Sequence, residues 1–256
     1  MATVDTALPA ARRASRGRRL GRWLGTLLIA VGVLVLAWAF VVWKWNDPFT
    51  ALYTHFKQSH LSAEYRQIDS TYRPLPAPPG VSVAAEERIV RKEATRYRSA
   101  VGIGKPIGRI QVPRLGLNMI LVDGTDHDSL KEGPGRDPRT FMPGQGELVY
   151  IAGHRTTYLA PFAHIDAMRP GDRITLTLPY ATFVYSVTGH VIVSADDLAV
   201  LQSHHHEVLA LQACHPRFFA THRYIVWAKL VLVRTRQGPV YVPQASRPGA
   251  SRTSSG

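Results

Sequence analysis

Only one of the 256 residues is a cysteine, Cys214. A single thiol excludes a disulfide framework and any metal site built from cysteines alone. It does not reveal the redox compartment, because an exported protein can also lack disulfides. Acidic side chains are scarce too: 18 Asp and Glu against 31 Lys and Arg, a formal net charge of +13. Such an excess suggests a polyanion partner until it is located along the chain. Residues 1–45 hold six Arg and one Lys against one Asp, and residues 234–256 hold four Arg and no acid, which leaves +3 for residues 46–233. The basicity sits at the two ends, so a nucleic-acid-binding fold is disfavoured. With 45% hydrophobic and 19% charged residues, a disordered or collagen-like polymer is excluded.

Long apolar runs are absent except for one. From Trp23 to Trp43 the chain reads WLGTLLIAVGVLVLAWAFVVW without a charge. That is enough to cross a hydrocarbon core of about 30 Å at about 1.5 Å per residue. The run is longer than a signal-peptide core, and Trp38, Trp43 and Trp45 suit interfacial anchors better than a cleavage site. Arg12, Arg13, Arg16, Arg18, Arg19 and Arg22 precede it, whereas Lys44 alone follows closely, opposed by Asp47. The positive-inside rule then predicts a cytoplasmic basic segment (1–22), a membrane helix (23–45) set in the lipid bilayer, and an exterior location for residues 46–256.

The exported part divides by texture. Residues 46–72 are expected to be partly helical, with Leu52, Phe56 and His60 on one face. A Pro-rich stretch, RPLPAPPG, and the charged EERIVRKEATRYR follow, so residues 46–99 read as a tether that holds a domain away from the bilayer. Between 100 and 235, short apolar or alternating runs are separated by Gly, Pro and Asp. Two strands broken at Pro113 and Gly116, then GELVYIAG, DRITLTLP, TFVYSVTGHVIVS, EVLALQAC and RYIVWAKLVLV, make about seven or eight strands. Short helices or loops are expected over Thr156–Arg169 and Ser194–Gln202. Regular strands with few long helices predict an all-β barrel or sandwich. The tail, 236–256, has no apolar period and is expected to be disordered.

Three residues stand at predicted strand ends. Cys214 closes EVLALQAC, Arg223 opens the following strand nine residues later, and His154 lies just past ELVYIAG behind Gly153. A hairpin would bring the first two to one end of a sheet. Together they offer a thiolate to attack an acyl carbon, an imidazolium to protonate a leaving amine, and a cation for the oxyanion. Each alone has a plainer reading: a buried small hydrophobe, a structural histidine, a salt-bridged arginine. With unperturbed pKa values of about 8.5 and 6.5, thiolate and imidazolium coexist only as a minority pair near pH 7, so a bell-shaped rate profile is expected.

The strings VPRLGLNMILVDGT, LKEGPGRDPRTFMPGQGELVYIAGHRTTYLAPFAHIDAMRPGDRITL and LALQACHPRFFATHRYIVWAKLV resemble the sortase family over roughly 105–233. The Cys-His-Pro sequence and the single N-terminal span are most similar to class E actinobacterial housekeeping sortases. The resemblance implies an eight-stranded sortase β barrel with short helices, covering 100–235. It also implies roles: Cys214 as nucleophile, His154 as general acid/base and Arg223 as stabiliser of substrate and oxyanion. The partners would be secreted proteins bearing a C-terminal sorting signal of the LPXTG or LAXTG kind, cut after Thr, and an amine of a peptidoglycan precursor or pilin. One departure stands out: the family commonly has Thr where this chain has Ala210 and Ala213, which removes two hydroxyls near the scissile residue.

Other readings compete. Gln212-Ala213-Cys214 resembles the caspase QAC string with His154 60 residues upstream, but His215-Pro216 follows and the strands do not alternate with long helices. A membrane-tethered, non-catalytic β module binding cell-wall peptides is the alternative from another class. No cofactor or metal is implied. His204, His205 and His206 are consecutive and read as a solvated loop, and Asp123, Asp126 and Asp128 as a turn of solvated acids.

Overall fold

The computed structural model describes residues 14–45, 48–76, 80–203 and 205–243, in two units that divide between residues 46 and 47. The basic segment up to residue 13, Pro-rich residues 77–79, His204 and the tail from 244 lie outside the described residues.

The first unit carries helix α1 (Ala14–Trp45). Within it, Gly17–Val41 is long and apolar enough to cross a membrane, and none of its most apolar 18 residues is buried. A helix that is apolar all round and buries nothing in protein has lipid as its natural solvent.

The second unit is a closed barrel. In chain order its strands are β1 (Pro106–Val112), β2 (Leu117–Asp123), β3 (Gly135–Arg136), β4 (Leu148–Ala152), β5 (Arg173–Thr177), β6 (Ala181–Ser194), β7 (Val208–His215), β8 (His222–Thr235) and β9 (Val240–Tyr241). Their order is β6-β5-β1-β2-β3-β4-β7-β8, and a long antiparallel β6–β8 pairing closes the ring. The short β9 extends β8 at Val233 and Arg234. It falls inside the segment expected to be disordered: Tyr241 is buried, an aromatic anchor in a stretch without apolar period. Alternation along β5 sends Ile174 and Leu176 inward, where they join Ile107, Ile110, Leu121, Val149, Phe183, Tyr185, Leu209 and Leu211 in one core.

Between α1 and the barrel come α2 (Pro48–Thr71) and α3 (Val83–Ala100), with a short α4 (His127–Glu132) between β2 and β3. The stretch expected as a tether is folded against the barrel. On α3, Val90, Ala94 and Tyr97 enter the core, and the Tyr97 hydroxyl donates to Ile107 O at 3.1 Å. On α2, Leu61 and Tyr65 pack on Ile120 and Val122 of β2. The face marked by Leu52 and Phe56 is turned outward instead, the two being 70% and 61% exposed. Polar bonds dock the first half of α2. Gln58 accepts from Ile120 N (2.7 Å) and donates to Ile120 O (3.1 Å) and Glu132 O (2.8 Å), while Thr54 donates to Lys131 O (2.9 Å).

Candidate active site

Three strands end together. Parallel pairing of β4 with β7 sets Ala152 against Gln212, and Gly153 N donates to Gln212 O at 3.0 Å. The next residue on β4's exit is His154, running alongside the end of β7 that carries Cys214. Antiparallel pairing of β7 with β8 sets Cys214 directly opposite Arg223. Directly opposed residues project to the same face of a sheet. Leu209, Leu211 and Ala213 of β7 belong to the core, so by alternation Ala210, Gln212 and Cys214 lie on the outer face. The register therefore gathers all three sequence-predicted residues at one end of the barrel wall.

Local chemistry explains each placement. A Cβ at Gly153 would lie 2.7 Å from the Phe162 ring, so glycine is needed there for close passage of the backbone rather than for a left-handed turn. Phe162 N donates to His154 O (3.1 Å) and closes the loop after the strand. The His154 ring packs against Tyr158 with centroids 5.1 Å apart, and its Nε2 is buried without a hydrogen-bond partner among the described residues. Burial, and secondarily the charge of nearby His127, holds the His154 pKa below its ordinary value. Fewer imidazolium forms exist near neutral pH than free histidine would give. Arg223 donates from Nη1 to Ala220 O (2.8 Å) and His222 O (3.0 Å), which anchors its guanidinium to the 216–221 loop. Cys214 is half-buried and free.

Arg155 had no assigned role from its sequence position, beyond belonging to the GHR string. It is buried, donates to Cys214 O (3.3 Å) and contacts His215 Nδ1 (2.9 Å), and pairs with Asp166 at 3.1 Å. Ala210 and Ala213 are both fully buried, and Ala213 faces the core. A hydroxyl at 213 would thus point away from the Cys214 face. The acids considered as a turn are apart in role: Asp123 is buried against Arg136, Asp126 caps α4, and Asp128 pairs with Lys131.

A match to the sortase domain spans residues 110–231. Sortase E from Streptomyces avermitilis is 32% identical, with 57% of this chain covering 99% of that one (TM-score 0.48). By the family match, residues 110–231 form a sortase domain. Sortase D of Bacillus subtilis (strain 168) is 30% identical over 132 residues, 50% of this chain and 65% of that protein. The sortase D5 transpeptidase of Clostridium perfringens shares the fold, with a TM-score of 0.55 at 24% identity over 68% of this chain and 98% of that one. The chain matches between 62% and 65% of the length of its curated sortase relatives. The strand order and closure described above are thus those of a sortase barrel.

Proposed function

We propose that this sortase is a membrane-anchored cysteine transpeptidase whose barrel faces the cell exterior, with Cys214, His154 and Arg223 as its reacting groups. The observation that carries the reading is the register that sets Cys214 opposite Arg223 and alongside the exit of β4 at His154. The substrate is an exported protein with a C-terminal LPXTG-like or LAXTG-like signal. The Cys214 thiolate attacks the Thr carbonyl carbon; the S–C bond forms and the peptide C–N bond breaks. The His154 imidazolium gives its proton to the leaving amine, and Arg223 balances the oxyanion charge. A cell-wall amine, from a peptidoglycan precursor or a pilin lysine, then attacks the thioester. Its C–N bond forms, the C–S bond breaks, and the proton returns to His154. Phe218 and Phe219, 61% and 77% exposed in the loop after Cys214, offer apolar surface to the leucine that begins either signal. Helix α1 is the anchor, and the arginines clustered at its N-terminal end favour a cytoplasmic N-terminus.

The test incubates the full chain in detergent with each signal peptide and an amine acceptor, read by mass spectrometry. Wild type is expected to carry the peptide acyl group on Cys214 and to release the amine-linked product, and Cys214→Ala to give neither. Hydrolysis with no transfer to amine would replace the transpeptidase by a peptidase. No adduct with either peptide would remove the proposed signal class.

A further inference from the structure

The imidazole of His154 sits under an aromatic ring that the chain bends sharply to deliver. Tyr158, Leu159 and Ala160 all lie in the left-handed region, with φ of 52°, 61° and 40°. Three consecutive non-glycine residues there hold a backbone conformation that L side chains disfavour. The turn is fixed by Ala160 N donating to Thr157 O (2.8 Å) and Phe162 N donating to His154 O (3.1 Å). Its product is the contact of Tyr158 with His154, centroids 5.1 Å apart and planes at 39°. Tyr158 is met in turn by Tyr53 of α2, edge to face at 6.3 Å and 71°. Tyr53 precedes buried Thr54, and Thr54, Lys57 and Gln58 bond to Lys131, Glu132 and Ile120 at the barrel surface. The ring chain thus begins on a helix whose first half is held by at least five hydrogen bonds and ends on the buried Nε2 of His154, unpartnered among the described residues.

We infer that Tyr158 is a positioning residue that fixes the His154 ring, and that α2 supports it through Tyr53, so the helix following the membrane span forms part of the active-site scaffold. The inference rests on His154 being the acid/base of the proposed reaction. Aromatic packing does here what a hydrogen-bonded carboxylate does for many catalytic histidines: it fixes ring orientation and keeps water away. The titratable and charged groups facing this cluster are His127 of α4 beside His154, Lys131 of α4 beside Tyr158 and Tyr53, and Lys57 of α2, whose ammonium lies 5.7 Å from the Tyr53 ring centroid. Stripping Tyr158 rehydrates the imidazole, which the burial-lowered pKa of His154 predicts will then titrate higher.

The test uses the full chain in detergent and needs no substrate: the rate of Cys214 alkylation by iodoacetamide against pH. The limb belonging to His154 is the one lost in His154→Ala. Tyr158→Ala is expected to move that limb upward by about half a pH unit. In the acyl-transfer assay it should lower kcat about tenfold with KM within twofold. Tyr158→Phe keeps the ring and should restore both to within twofold of wild type. Tyr53→Ala, a change on a partly exposed helix face, should shift the limb in the same direction by less, and it keeps the inference testable if Tyr158→Ala does not fold. An unmoved limb in Tyr53→Ala and in a folded Tyr158→Ala overturns the positioning role. Because alkylation needs no sorting signal, failure of both peptides to acylate wild type would overturn the substrate reading and leave this measurement standing.

Discussion

Arg155 shows how one side chain orients a strand end. Its guanidinium carries donors only, so His215 Nδ1 is the accepting atom in their 2.9 Å contact. The same Nη1 reaches Cys214 O, and the Tyr224 ring lies 5.8 Å from the guanidinium carbon. The backbone carbonyl of Cys214 is thereby tied to the loop after β4, the loop that carries His154. Replacing Arg155 by Met removes these bonds and leaves a carbonyl and an imidazole nitrogen without their donor. The expected loss is about 2 kcal/mol of stability, read as a lower urea midpoint. Acyl transfer should fall about tenfold as the strand end loosens. Arg155→Lys keeps the charge but not the planar fork, so it should recover only part of the rate. A rate within twofold of wild type in Arg155→Met would show that β7 needs no such tie.

Among elements, α2 joins an apolar contact in its second half, Leu61 and Tyr65 on β2, to a polar attachment in its first. Gln58 completes both hydrogen bonds of Ile120, as a neighbouring strand would. Gly133 leaves room for this: a Cβ there would lie 2.4 Å from Gln58 Nε2 and 3.0 Å from Ile120 O. Gln58→Ala leaves the Ile120 amide unpaired, and its urea midpoint should drop by the equivalent of about 2 kcal/mol. Gly133→Ala should cost about as much alone but less in the Gln58→Ala background, since one of the two clashes is gone. Additive losses would show that the two residues do not share one contact. This docking also explains what was legible in the sequence. Residues of β5 and of the first half of β6 alternate between buried and more exposed positions, so the period-2 pattern found these strands, and strand ends found Cys214, Arg223 and His154. The docking of α2 and α3 was hidden because buried Thr54, Glu86 and Glu93 interrupt their apolar stripes. Glu93 is invisible as an inward residue until Arg96 and the Tyr72 hydroxyl are seen to bond it. Tyr158 was hidden for another reason: its contact with His154 depends on a left-handed turn that TTYLA, without glycine, does not announce.

For the molecule as a whole, the scarcity of cysteine becomes an instrument. Cys214 is the one thiol of the chain, is half-buried, and stands in the second unit, beyond the apolar helix. A membrane-impermeant maleimide therefore reports on the side of the bilayer that the barrel occupies, with no second site to confuse it. The charge arrangement argues for the outside: six arginines precede the uncharged run that begins at Trp23, while the segment 46–233 is close to balanced at +3. A thiol facing the exterior meets exported proteins and cell-wall amines; a cytoplasmic one meets neither. Cells stripped of their wall but otherwise intact should label Cys214 without permeabilisation, and Cys214→Ser should abolish the signal. Replacing the arginines between 12 and 22 by glutamine should raise the fraction labelled only after lysis, because the determinant of orientation has been removed. Labelling of wild type only after lysis would put the barrel in the cytoplasm, and the proposed reaction would lose both its substrates at once.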